Sequence, residues 1–339
     1  MRIESILKKA ESGDGISKEE ALTLLREIKP GSKEMYLLMH TADHLSRRQF
    51  NNKGEVHAQV GLNWALCSKS CEFCAFAEKH GIASKTIELS EDEVVRRAKN
   101  FENAGANAIF LMTTADYDFS RFLEIGKSVR KAINPDMPLV ANIGDFGPGE
   151  AQELVEAGFT AVYHVVRLGE GVNTRIDPSM RIRTIKAAKD SGLDLSFCVE
   201  PIGPEHSIEE IVDRMFLGKD LEPTVMATMR RIMIPGTPLS AYGHIPEIEL
   251  ARIEAVTRLV MGKNIMAMGV HEPNMPSLLA GCNQIYAETG PNPRDTEEET
   301  SKGRGRSVEK CKQMLWEAGY ETFTGPARSL QGPLRKRTR

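Results

Sequence analysis

From about residue 57 the chain alternates between short apolar runs and longer amphipathic stretches. The runs include VHAQVGLNWALC (56–67), ANAIFLMT (106–113), TAVYHVV (160–166), LDLSFCVEPIG (193–203) and NQIYAET (283–289). Between them lie segments such as EDEVVRRAKNFENAG and PSMRIRTIKAAKDSG, with apolar residues at helical spacing. Gly105, Gly158 and Gly192 end three of these segments, where a left-handed C-cap would turn the chain into the next strand. Eight strands with seven helical crossovers predict a parallel α/β fold, and eight is the number that closes a (βα)8 TIM-type barrel.

Three segments follow from this rhythm: an N-terminal helical extension over 1–56, the barrel over 57–290, and a C-terminal loop, closing helix and tail over 291–339. Ser17 with Glu20 forms a plausible capping box for a helix in the extension. The stretch from Pro291 to Arg306 is polar, with Gly and Arg interleaved, and reads as a mobile loop. At 339 residues the chain is long enough for a large core.

A composition of 41% hydrophobic and 27% charged residues, with a net charge of −3, gives no reason to expect nucleic acid or anionic membrane as a partner. The basic tail (Arg335, Lys336, Arg337, Arg339) reads as a solvated chain end. No apolar stretch reaches the ~20 residues of a membrane span, and the first residues lack a signal-peptide pattern, so a cytoplasmic protein is expected. Six cysteines in such a chain suggest thiols or metal ligands, not a disulfide framework.

Three of those cysteines stand together in CSKSCEFC: Cys67, Cys71 and Cys74. They fall in the loop leaving the first strand, on the barrel face that carries chemistry. A single short loop at this spacing can bring three thiolates to one cubic iron–sulfur cluster. Structural zinc is the competing reading, with His80 as a fourth ligand, and buried inert thiols are the third.

The motif resembles the C-x3-C-x2-C signature of radical S-adenosylmethionine (SAM) enzymes, in which an aromatic residue, here Phe73, precedes the last cysteine. HLSRRQFNNKGEVHAQVGLNWALCSKSCEFC, IMIPGTPLS and LLAGCNQIYAETG extend the resemblance to the biotin synthase-like branch. That branch includes biotin synthase, archaeal-type lipoyl synthase, the [FeFe]-hydrogenase maturase and methylornithine synthase. The resemblance implies a [4Fe-4S] cluster on Cys67, Cys71 and Cys74, with SAM on its open iron. It implies a 5′-deoxyadenosyl radical that takes hydrogen from an unactivated carbon. Implied partners are reduced ferredoxin or flavodoxin, a small-molecule or protein-bound acyl substrate, and a sister radical SAM protein if the system has two components.

By position, Arg181 matches an arginine for the SAM carboxylate, Glu170 an acidic SAM contact, and Ile202 an apolar adenine contact. Where the family often has a Gly-Gly-Glu-like turn for the SAM amino group, this chain has Thr113, Thr114 and Asp116. Glu200, Arg231 and His271 end later strands and are candidate catalytic residues. Arg230 and Arg231 alternate, so one should face inward, suggesting a substrate carboxylate or phosphate. His57 and His164 read as core histidines. A second cluster would have Cys198, Cys282 and Cys311 as its candidate ligands. The reading leans to sulfur insertion of the lipoyl- or biotin-synthase kind. The alternatives are cofactor assembly or carbon rearrangement, and a non-catalytic iron–sulfur scaffold.

Overall fold

The computed structural model describes residues 2–336. Eight parallel strands alternate with helices: β1 (Lys53–Gly61), β2 (Ala108–Met112), β3 (Leu139–Asn142), β4 (Ala161–Tyr163), β5 (Asp194–Ile202), β6 (Val225–Arg230), β7 (Ala267–Val270) and β8 (Gln284–Thr289). Each pairs with its successor, and β8 pairs in parallel with β1 in the register His57–Tyr286 and Gln59–Glu288. That last ladder closes the (βα)8 barrel the rhythm predicts.

The crossovers are α4 (Glu91–Ala104), α5 (Phe119–Ala132), α6 (Pro148–Glu156), α7 (Pro178–Asp190), α8 (Ile208–Asp220), α9 (Glu247–Met261) and the single turn α10 (Met275–Leu278). Gly105, Gly158 and Gly192 adopt φ of 87°, 93° and 90°, as the helix-ending reading requires.

Ahead of the barrel, α2 (Lys18–Glu27) and α3 (Lys33–Gln49) pack on α8 and α9, and α1 (Arg2–Ala10) packs on α2 and α3. The Ser17–Glu20 capping box is present at the start of α2. Arg258 of α9, fully buried, donates to the Ser46 hydroxyl of α3 at 2.6 Å, and Ser46 donates to the Gly281 carbonyl at 2.6 Å. These bonds satisfy a charge that packing alone would leave stranded. After the barrel, α11 (Val308–Glu317) lies against the outside of β1 and β8. Arg335 of the basic tail pairs with Asp194, while Arg337 and Arg339 lie outside the described residues. Among the described residues no helix is long and apolar enough to cross a membrane.

Candidate active site

The cysteine loop leaves β1 at the C-terminal face of the barrel and is held by backbone hydrogen bonds from four directions. Cys67 N–H reaches the Phe76 carbonyl at 2.7 Å, Glu72 N–H reaches Asn173 at 2.9 Å, Arg175 N–H reaches Lys69 at 2.8 Å, and Leu239 N–H reaches Glu72 at 3.1 Å. Phe76 packs edge-on against Trp64 beneath the loop. All three cysteines open onto one cavity, which Thr113, Asn142, His164 and Arg181 also line.

Burial raises the Cys67 thiol, lifts Cys71 to about 11 and pushes Cys74 well up. The bare thiols therefore hold their protons, and a metal must displace them. Among the described residues no three His, Cys, Asp or Glu side chains are already drawn in to ion-ligand distance. The donor set nonetheless fits a cluster: three sulfurs on one cavity that polar groups suited to an organic ligand also line. His80, the fourth ligand a zinc site would recruit, instead turns its Nε2 to the Cys71 carbonyl at 3.2 Å.

The same cavity is bordered by a buried charge network. Arg181 donates to Asp145 at 3.1 Å, and its Nε lies 3.6 Å from Glu170. His164 Nε2 meets the same Asp145 oxygen at 3.0 Å. Burial alone would raise Asp145, but the His164 and Arg181 bonds outweigh it and hold the carboxyl down at about 2. Burial depresses His164 to about 4 against the pull of Asp145, so the ring is neutral near pH 7. His164 is thus not the core histidine the sequence suggests; it lines the cavity. Glu170 itself lies one layer back, accepting from Arg167 N–H and the Thr174 hydroxyl, both at 2.9 Å. Thr113 has a buried hydroxyl without a hydrogen-bond partner among the described residues, whereas Thr114 is tied to Asn63 at 2.9 Å and Asp116 to Ser68 N–H at 2.6 Å.

A second, inner chamber adjoins the first, with Phe73, Cys74, Thr113 and Tyr163 in the wall between them. Glu200, Arg231 and His271 all line it, so the structure brings the three candidate catalytic residues together. Glu200 accepts from the Tyr163 hydroxyl at 2.5 Å and pairs with Arg167 at 3.1 Å. Arg231 faces inward and Arg230 outward to Glu247, as strand alternation requires. Both outer nitrogens of Arg231 bond Glu205, which leaves that guanidinium already neutralised and removes the basis for a substrate carboxylate there. Ile202 lines neither cavity. The β5–β6 register shifts between Val199 and Ile202, breaking the alternation, and Ile202 is fully buried in the apolar core.

The segment 291–306 departs most from expectation. It is not a free loop but a strap over the barrel mouth. Arg304 pairs with Glu272 at 2.7 Å, Glu288 at 2.6 Å and Asp295 at 3.0 Å, and Arg294 pairs with Glu288 and with Glu272. Burial raises Glu288, but Arg294 and Arg304 overcome it and hold the carboxylate well below its usual range. Alternating Arg and acidic residues read as solvated chain, but their partners are Glu272, just past the end of β7, and Glu288 on β8. Arg167, Asn142 and Arg294 were missed; Asn142 ends β3 and Arg167 lies four residues beyond Tyr163, the end of β4.

The remaining cysteines are not brought together. Cys198 faces the barrel interior beside Tyr163, Cys282 precedes β8 with its thiol on the Gln284 carbonyl at 3.1 Å, and Cys311 sits on α11 with its thiol on the Tyr286 carbonyl at 3.3 Å. The wall of strand β8 separates Cys311 from Cys198, so these three do not form one ligand set.

Comparison with known proteins agrees with this architecture. Residues 65–217 match the Radical SAM superfamily. The chain is 26% identical to the biotin synthase of Carboxydothermus hydrogenoformans, over 94% of this chain and 99% of that protein. It is 28% identical to the biotin synthase of Desulforudis audaxviator, over 80% and 84%. In fold it is similar to the [FeFe]-hydrogenase maturase HydG (TM-score 0.80, 15% identity, 95% of this chain and 75% of that one). It is equally similar to methylornithine synthase, PylB (TM-score 0.79, 18% identity, 95% and 97%).

Proposed function

We propose, for a chain that belongs to the radical SAM superfamily and is an enzyme of that family, that it abstracts hydrogen from an unactivated carbon of a substrate held in the inner chamber. The observation that carries this reading is the shared wall: a group bound against the cysteines borders the chamber containing Glu200, Arg231 and His271.

Cys67, Cys71 and Cys74 would hold the [4Fe-4S] cluster, and Arg181 and Thr113 would hold SAM. Bound there, they would supply the radical chemistry that no side chain provides. Arg181 is the residue for the SAM carboxylate: Nη1 is taken by Asp145 and His164, but Nε has no hydrogen-bond partner among the described residues, so, unlike Arg231, its outer nitrogens are not both committed. Asp145 and Glu170 hold that guanidinium in place from behind. The Thr113 hydroxyl, without a partner among the described residues, is a polar anchor at the boundary of both cavities. Phe73 and the strap shield the reacting carbon from water, which limits quenching. The electron comes from outside the chain, from reduced ferredoxin or flavodoxin.

Sulfur insertion is the outcome favoured by the similarity to biotin synthases. Rearrangement or cofactor assembly, which needs no second cluster, is favoured by the separation of Cys198, Cys282 and Cys311. Anaerobic reconstitution tests the common step: reduced protein with SAM should release 5′-deoxyadenosine, and protein that binds iron but releases none would be a scaffold. Mössbauer counting of clusters then separates the two outcomes.

A further inference from the structure

His271 ends strand β7 with its ring clamped flat on Tyr286, centroids 3.8 Å apart at 11°, and edge-on to Tyr163 at 5.3 Å. It is only 3% exposed, yet neither ring nitrogen has a hydrogen-bond partner among the described residues. A buried polar group left in this state is destabilising unless a ligand or water satisfies it. The ring lines the inner chamber, so a ligand there can reach it.

Arg294 reaches the same chamber from the strap. Two of its nitrogens serve Glu288 and Glu272, but Nη1 points at the Met229 sulfur, 2.9 Å away. A thioether is a weak acceptor for a guanidinium N–H. Two well-fixed groups therefore face one chamber without adequate partners.

Charge decides what they are for. Arg167, Arg231 and Arg294 each already have a carboxylate: Glu200, Glu205 and Glu288. An arriving carboxylate would find no uncommitted cation and would be buried with its charge uncompensated. Burial also drives His271 well below the usual imidazole range, so the ring is neutral and offers one N–H and one acceptor nitrogen. That pairing matches the C=O and N–H of an amide. Met112, Met229 and Ile232 supply apolar flanks for a hydrocarbon portion.

We infer that the inner chamber recognises an uncharged carbonyl of the carboxamide class, docked between the His271 ring and Arg294. The inference rests on the reading of this chamber as the substrate site, and it names the substrate class.

The test uses the full chain with its cluster reconstituted and SAM present, and a matched pair of probes, hexanamide and hexanoate. Isothermal titration should show the amide binding about tenfold tighter than the carboxylate, the difference of about one matched hydrogen bond. On 15N-histidine labelling, the His271 ring resonances should move with hexanamide and stay still with hexanoate. His271→Phe and Arg294→Gln should each weaken amide binding about tenfold; His271→Gln should recover part of it. Equal or tighter binding of hexanoate, no detectable binding of hexanamide, or unmoved His271 resonances would overturn the inference. The wild-type comparison decides even where a variant fails to fold. Release of 5′-deoxyadenosine by reduced protein is scored separately: its absence alongside amide-selective binding sinks the enzymatic reading but not the recognition.

Discussion

The carbonyl of Pro293 accepts the backbone N–H of Ala75 at 3.0 Å, one residue beyond Cys74. The strap over the barrel mouth and the loop carrying the thiols are thus joined directly. Gly61 makes the join possible: a Cβ there would lie 1.7 Å from the Pro291 carbonyl oxygen. Gly61→Ala should therefore dislodge the strap, costing about 2–4 kcal/mol. Calorimetry should show a lowered melting temperature, and proteolysis should cut within 291–306. An unchanged melt and an uncut strap would mean the crossing carries no such constraint.

Arg181 lines the cavity and is held by Asp145 and Glu170. Arg181→Gln should weaken SAM binding by about tenfold or more while leaving iron content unchanged. Arg181→Lys, which keeps the charge but not the fork, should recover only part of the loss. Equilibrium dialysis against labelled SAM measures both. Unaltered affinity in the glutamine variant would make Arg181 a structural ion pair only.

Glu254 on α9 is fully buried, and burial raises its carboxyl to about 8 despite the Thr228 hydroxyl bond and nearby Arg258. Between the ordinary carboxylate value and about 8 the folded state keeps a proton that the unfolded chain releases, so stability falls as pH rises through that window. The limiting slope is about 1.4 kcal/mol per pH unit for one such proton. His164 acts in the opposite sense, because its depressed value makes stability rise with pH from about 4 to its ordinary value of 6.5. Above that value the Glu254 effect remains. Glu254→Gln should flatten the decline in melting temperature between pH 6.5 and about 8; equal slopes in both proteins would contradict it.

Replacement of Cys198, Cys282 and Cys311 by Ser should leave iron content and cluster spectra unchanged, because β8 stands between two of them. Lost iron in that triple variant, with the 67/71/74 set intact, would place a second cluster on them after all and strengthen sulfur insertion.

The rhythm of apolar and polar positions was enough to read the barrel, because burial on both faces writes continuous apolar strands and glycine marks each helix end. CSKSCEFC was legible because its three thiols are local. Arg294 and Glu288 were not: they are close in sequence, but a pair spaced across the end of β8 fits neither strand nor helix periodicity. His164 looked like packing because a neutral histidine in a strand run has the same sequence signature whether it fills a core or braces Asp145. Ile202 was misplaced by a register shift that no single-sequence period reveals.

The central claim is that Cys67, Cys71 and Cys74 hold a cluster that cleaves SAM. Its most direct test is anaerobic reconstitution of the wild type and of the Cys67→Ala/Cys71→Ala/Cys74→Ala variant, with 5′-deoxyadenosine measured after reduction. The account predicts one SAM-responsive [4Fe-4S] signal and 5′-deoxyadenosine from the wild type, and neither from the variant. A variant that still produces 5′-deoxyadenosine, or a wild type that holds the cluster and produces none, would contradict it.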